Sequence, residues 1–360
     1  MIALITRQIV TTLVVFVGVI LLIFGGTATL PTEGPPSCMS IRPSPDDAIL
    51  WMHRAGQPLL VQFREWLFGR KGTDAMTGQE IIYGGVIRGN LGYSRSAGKT
   101  TIQVVRERLT RTLELILLSL PLMAAGAWCG MHAAFSQGRF KRIVRARISL
   151  SIPAFILGWL IIILVQRANW FIVGEIPKEV ATFYGLEQLA SYTGMLTVDA
   201  LLNGRPDVFV FALQHTVLPV LTLSLVGWVL LFQVTRSAAM AALRSREIIA
   251  MRGRGLPENL IVKEFIRPKV RATLLAASGY LAFALLDNVL IVEALFRYPG
   301  LGALMAQAAA QLDLLTVLEI LLLIATASLA LKLLIEIAQI IFARRPRSWR
   351  SISSAAQAKV

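Results

Sequence analysis

Ionisable side chains set inside long apolar runs are the first candidates for chemistry in this 360-residue sequence. Asp287 and Glu336 lie deep in such runs, and Lys332 stands four residues before Glu336, the spacing that puts both on one helix face. A charge kept in an apolar span is costly, so these groups suggest either a relay for ions or protons, or a paired structural role. Glu114 and Glu319 fall nearer the ends of their runs. Metal and nucleophile chemistry have less to work with. His53, His132 and His215 are dispersed over separate segments, whereas zinc and nucleophile sites need clusters at ligand spacing. Neither H-E-x-x-H nor G-x-S-x-G occurs. Ala97-Gly98-Lys99-Thr100-Thr101 ends like a phosphate-binding loop, yet the glycine that loop needs falls on Tyr93, with Gly92 one residue early. The segment reads as a turn, and the chain as a non-enzyme holding no catalytic, cofactor or metal site.

The elements that carry these residues follow from composition. The chain is 55% hydrophobic and 16% charged, with a mean hydropathy of +0.65. A soluble domain carries about 45–50% apolar and about 25% charged residues, so an ordinary soluble enzyme is excluded. Six runs approach the roughly 20 apolar residues that a membrane helix needs: Ile9 to Leu30, Thr112 to Phe135, Ile148 to Val165, Val208 to Val234, Leu274 to Val292 and Leu314 to Phe342. The expected fold is an all-α polytopic integral membrane protein with six transmembrane helices. Residues 1–30 form the first span, 31–111 an external segment, 112–342 the membrane core with a cytoplasmic loop at 235–271, and 343–360 a basic tail.

The net charge of +15 then acquires a location. Arg7, the connection from Arg139 to Arg147, the loop from Arg236 to Arg271 and the tail from Arg344 to Lys359 hold 20 of the 36 basic residues, against Glu247, Glu258 and Glu264. Positive charge is retained on the cytoplasmic side, which places both termini there. The excess reports topology, and calls for membrane lipid and not nucleic acid as a partner. Arg7 before an apolar run and Gly26-Thr27-Ala28 after it also fit a cleaved signal peptide. An even number of spans and the basic tail favour an uncleaved first helix. Cys38 and Cys129 fall on opposite sides, so no disulfide is expected. In the external segment Leu59, Leu60, Phe63, Trp66 and Leu67 recur at helical spacing. That stretch reads either as an interfacial helix or as a cap that meets a soluble partner.

The cytoplasmic loop Thr235 to Arg271 reads as two amphipathic helices with a break. Ala239, Met240, Leu243, Ala250 and Met251 share a face in the first half. Gly255 ends it, and Leu256-Pro257-Glu258 restarts it with a proline and an acid suited to a first helical turn. Ile261, Val262, Phe265 and Ile266 form an apolar stripe in the second half. A short apolar-faced helix behind a glycine hinge is expected to dock into a groove on another protein.

At these residues the chain resembles the permease subunits of ABC importers, in the oligopeptide and dipeptide branch. Arg236, Leu243 and Met251-Arg252-Gly253-Arg254-Gly255-Leu256 resemble that family's cytoplasmic loop, with Arg246 and Glu247 replacing an acid and aromatic pair. Gly89-Asn90-Leu91-Gly92-Tyr93-Ser94, Ser151-Ile152-Pro153-Ala154-Phe155 and His215-Thr216-Val217-Leu218-Pro219 are similar to its motifs before the second, third and fourth spans. Glu293-Ala294-Leu295-Phe296, Pro299-Gly300-Leu301-Gly302 and Asp313 resemble its external re-entry, while Gly69 to Val86 looks like an insertion.

The resemblance implies a bacterial inner-membrane protein forming half of a translocation pathway with a second, homologous permease. It further implies two cytoplasmic ATPase subunits that hold ATP and Mg²⁺, and an external substrate-binding protein that delivers the solute. Coupling to the ATPase would then run through the 255–270 helix, with Arg252 and Arg254 beside it. A secondary transporter or channel using Asp287 and the Lys332/Glu336 pair is the competing expectation; inverted internal repeats would mark it.

Overall fold

The computed structural model describes residues 2–28, 58–73, 80–83, 85–88, 93–94, 99–135, 154–166, 176, 178–311 and 314–342. Long helices dominate it: α1 (Ile2–Ala28), α2 (Leu59–Phe68), α3 (Thr101–Phe135), α4 (Ala154–Gln166), α5 (Lys178–Phe183), α6 (Leu196–Leu202) and α7 (Pro206–Leu243). There follow α8 (Arg246–Gly253), α9 (Glu258–Ile261), α10 (Arg267–Phe296), α11 (Leu301–Ala310) and α12 (Leu314–Phe342). Five helical segments among the described residues are long and apolar enough to cross a membrane: Thr6–Gly25, Thr101–Phe135, Pro206–Leu243, Glu258–Phe296 and Thr316–Ile341. The third expected span is represented by the 13 residues of α4, and residues 148–153 lie outside the described residues.

Several expected boundaries move, two of them furthest. The second span starts at Thr101 instead of Thr112, because Val104 and Val105 are buried against Leu301, Leu304 and Ile320 and extend the apolar face outward. The fourth continues to Leu243, beyond Val234. Its final turns bury Ala239 and Ala242 against the loop that follows.

Four short strands interrupt the all-α pattern between α2 and α3. β1 (Arg70–Thr73) pairs antiparallel with β2 (Glu80–Tyr83), with Arg70 opposite Tyr83. β3 (Tyr93–Ser94) pairs with β4 (Lys99–Thr100), which runs straight into α3, so Lys99 to Thr101 are strand and helix where a turn is expected, and Ala97 and Gly98 lie outside the described residues. α2 lies where the amphipathic pattern places a helix, and Phe63 meets Phe24 of α1 edge-on at 5.0 Å.

The central packing is that of α3 against α7, where Gly126 and Gly130 supply a small-x-x-x-small surface. A Cβ at Gly126 would lie 2.9 Å from the Trp228 Cα, and one at Gly130 3.1 Å from the Phe232 Cα. The two backbones therefore approach more closely than side chains would permit. Leu115, Leu218, Leu223, Val289, Val292 and Phe296 form the core above this crossing.

Candidate functional site

The tip between α7 and α10 is built around one helix ending. Gly255 adopts φ 77°, in the left-handed region that glycine enters without a Cβ penalty. Its N–H donates to the Arg252 carbonyl at 3.0 Å, and the Leu256 N–H donates to the Met251 carbonyl at 3.3 Å. This pair of bonds is the Schellman ending of α8, and Leu256 packs into the same apolar cluster as Met251. Pro257 then opens α9, its carbonyl accepting from the N–H groups of Leu260 and Ile261.

Two ion pairs staple the hairpin. Arg252 Nε and Nη2 reach the Glu258 carboxylate at 2.5 and 3.2 Å, bridging the break bidentately. This holds the Arg252 guanidinium further above its already high pKa. Lys269 Nζ donates to Glu247 at 2.5 Å. Both pairs are solvent-exposed, so each fixes geometry more than it adds stability.

The predicted docking residues divide between surface and interior. Arg252, Arg254, Gly255, Pro257 and Glu258 are exposed. Ile261 and Ile266 are completely buried within this chain, with Leu256, Val262 and Phe265 packed beside them against Ala239, Ala242 and Phe135. Ile261 and Ile266 are therefore spent inside this chain, which corrects the expectation for those two, while Leu256, Val262 and Phe265 stay half-buried. The separate second helix is corrected too, since α9 passes through a π-helical turn at Val262–Ile266 directly into α10. The apolar side chain that the tip does present is Ile249 on α8, 59% exposed, flanked by the exposed Arg246, Arg252 and Arg254.

A second constellation closes the opposite end of the bundle, around the α10–α11 turn. Glu293, wholly buried near the end of α10, accepts the Gly302 N–H at 2.7 Å. Thr112 of α3 accepts the Leu301 N–H at 3.1 Å, so the first amides of α11 are taken by side chains from two other helices. At Gly302 a Cβ would lie 2.7 Å from the Leu290 Cα, which explains the glycine. The re-entry residues Glu293, Phe296, Pro299, Gly300 and Gly302 are thus brought together, while Asp313 lies outside the described residues.

Glu114 is the hub that motif matching leaves out. Its buried carboxylate accepts the Thr197 N–H at 2.7 Å and the Thr197 hydroxyl at 2.5 Å. It also accepts the Tyr298 hydroxyl at 3.0 Å and the Leu196 N–H at 3.3 Å, with Arg111 at 3.3 Å. One acid on α3 therefore ties the start of α6 to the α10–α11 turn. Asp199 performs a local version of this, accepting from the N–H groups of Thr193 and Gly194 at 2.8 and 3.0 Å. The sequence signal for Glu114 is an acid in an apolar run; Tyr298 carries none.

In mid-span, Lys332 and Glu336 pair at 3.8 Å on α12, as their spacing predicts. Asp287 is exposed on α10, and no hydrogen bond or ion pair reaches it among the described residues.

A family model described as the binding-protein-dependent transport system inner membrane component matches residues 123–348, which span the tip, α10 and α11. The probable D,D-dipeptide transport system permease protein of Escherichia coli (strain K12) is 28% identical over 285 residues, covering 78% of this chain and 78% of that protein. The di/tripeptide transport system permease protein of Pseudomonas aeruginosa (strain UCBPP-PA14) is 25% identical over 345 residues, covering 94% and 96%. The putrescine export system permease protein of Escherichia coli (strain K12) is 25% identical over 238 residues, covering 64% and 73%. With more than half of its length matched, and its long apolar helices joined by a stapled hairpin, the chain belongs to the binding-protein-dependent transport system inner membrane components, multi-pass proteins of the inner membrane.

Proposed function

We propose that the chain is the permease subunit of an ATP-driven ABC importer for peptides or similar small solutes. It forms half of the translocation pathway, with a second, homologous permease as the other half of a heterodimer. An external substrate-binding protein delivers the solute. Two cytoplasmic ATPase subunits bind ATP and Mg²⁺ and grip the tip.

The observation that carries this reading is Ile249 exposed among arginines on a short helix whose inner face is fully committed to the chain's own core. An apolar side chain ringed by charges on an otherwise basic surface suits a shallow groove with an acidic rim. The tip is continuous with α10 and joined to α7 by Arg244 and Ser245 alone. Displacing it therefore moves two spans as levers, which is what an alternating-access cycle needs. The dipeptide and tripeptide names of the relatives support a peptide cargo.

The test is Ile249→Asp in the complete transporter reconstituted in liposomes. Membrane insertion should be normal, while co-purification of the ATPase subunits and ATP-dependent dipeptide uptake fall together. Uptake that runs on an ion gradient in the absence of the ATPase subunits would overturn the reading.

A further inference from the structure

The surface of α10 turned away from the core carries side chains that neither the tip nor the Glu293 constellation uses. Val289, Val292 and Phe296 turn into the core. On one flank Leu295 lies against Gly158 of α4, and on the other the Leu275 carbonyl accepts from Gln339 of α12 at 2.7 Å. Advancing about 100° per residue, Tyr280, Phe283 and Asp287 occupy the one face these contacts leave open, on successive turns. Tyr280 and Phe283 are 70% and 63% exposed, and Asp287 is exposed with them. The carboxylate lies about 15 Å of helix rise below Arg297 at the outer end, well inside the span.

Among the described residues no counter-ion pairs with Asp287. The Asn288 amide is turned back to the Ala284 carbonyl at 2.6 Å, and Lys332 of α12 is taken by Glu336. A carboxylate at this depth belongs on a water-filled route or against a cation, because facing lipid it would be costly. The two rings define the cation. Aromatic faces beside a carboxylate suit an ammonium group, which gains both an ion pair and cation–π attraction.

We infer that Tyr280, Phe283 and Asp287 form a contact within the membrane for the ammonium group of the transported solute. The inference rests on the proposed function, since a solute pathway is what brings a hydrated cation to this depth.

The test uses the complete transporter in liposomes with ATP, and compares uptake of dialanine, putrescine and maltose by the wild type, Asp287→Asn and Asp287→Glu. Asp287→Asn should lower kcat/KM for the ammonium-bearing solute about tenfold, the scale of one charge-assisted contact. Asp287→Glu should restore most of that loss, and the second permease should co-purify with both variants. Dialanine uptake indifferent to Asp287→Asn overturns the inference and leaves the peptide pathway standing. Loss of the second permease from Asp287→Asn complexes also overturns it, because the carboxylate then pairs with that subunit. Asp287-dependent uptake of putrescine without dialanine upholds the inference and removes the peptide cargo. Uptake of maltose alone overturns both.

Discussion

Glu114→Ala is expected to open the end of the bundle at the α10–α11 turn while the tip at α8 and α9 stays folded. The carboxylate takes hydrogen bonds from the Thr197 N–H and hydroxyl, the Leu196 N–H and the Tyr298 hydroxyl. Alanine leaves the Thr197 amide and the Tyr298 hydroxyl without an acceptor in a region closed to water. At about 1–3 kcal/mol for each orphaned buried donor, these two alone cost roughly 2–6 kcal/mol. That is a large share of the roughly 5–15 kcal/mol by which folded proteins are stable. Glu114→Gln keeps one accepting oxygen and should cost about half as much. Hydrogen exchange on the purified protein in detergent provides the assay. Amides at 193–203 and 298–302 should lose protection, and those at 248–266 should keep it, because the tip has its own cluster. The reasoning fails if a cycle of Glu114→Ala with Tyr298→Phe gives a coupling below about 0.5 kcal/mol, or if protection falls equally at both ends.

Three further outcomes are expected. Gly255→Val should lower the thermal midpoint more than Gly255→Ala, since φ 77° with open space around it makes the cost purely conformational; equal midpoints would remove the hinge argument. Gly126→Val should destabilise by about 1–3 kcal/mol by overpacking, because the added carbons meet the Trp228 backbone, whereas Gly253→Ala, with nothing within 4 Å, should be nearly silent in the same denaturation assay. Glu258→Gln should change stability by less than about 1 kcal/mol, and that difference should shrink at high salt because the Arg252 pair is exposed.

The sequence carried the helical membrane architecture because unbroken apolar length is a local property, and it carried the break at Gly255 for the same reason. It misjudged the tip for a physical reason. Periodicity reports that Ile261, Val262, Phe265 and Ile266 share an apolar face, but not whether another protein or another helix covers it. The covering residues Ala239, Ala242 and Phe135 come from helices that overrun or end beside the loop, and the overrun is invisible where Ala and Ser replace strongly apolar residues. Glu293 and its glycines were legible as a motif, whereas Glu114 and Tyr298, 184 residues apart in the chain, meet through tertiary packing alone. The close crossing at Gly126 and Gly130 was written in the sequence as a small-residue spacing, and only the opposing Trp228 and Phe232 backbones give it meaning.

At the tip, Ile248, Met251, Ile261 and Ile266 hold the hairpin together from within, and Ile249 with its arginines faces out. On the proposed function, adhesion to a partner and integrity of the fold would fall to alternate residues of the same short helix. Outer residues can drift in step with a changing partner at little risk to folding, while inner ones are held fixed by packing. Compatibility with the proposed partner would then be retuned at Ile249 and the neighbouring arginines without rebuilding the hairpin beneath them.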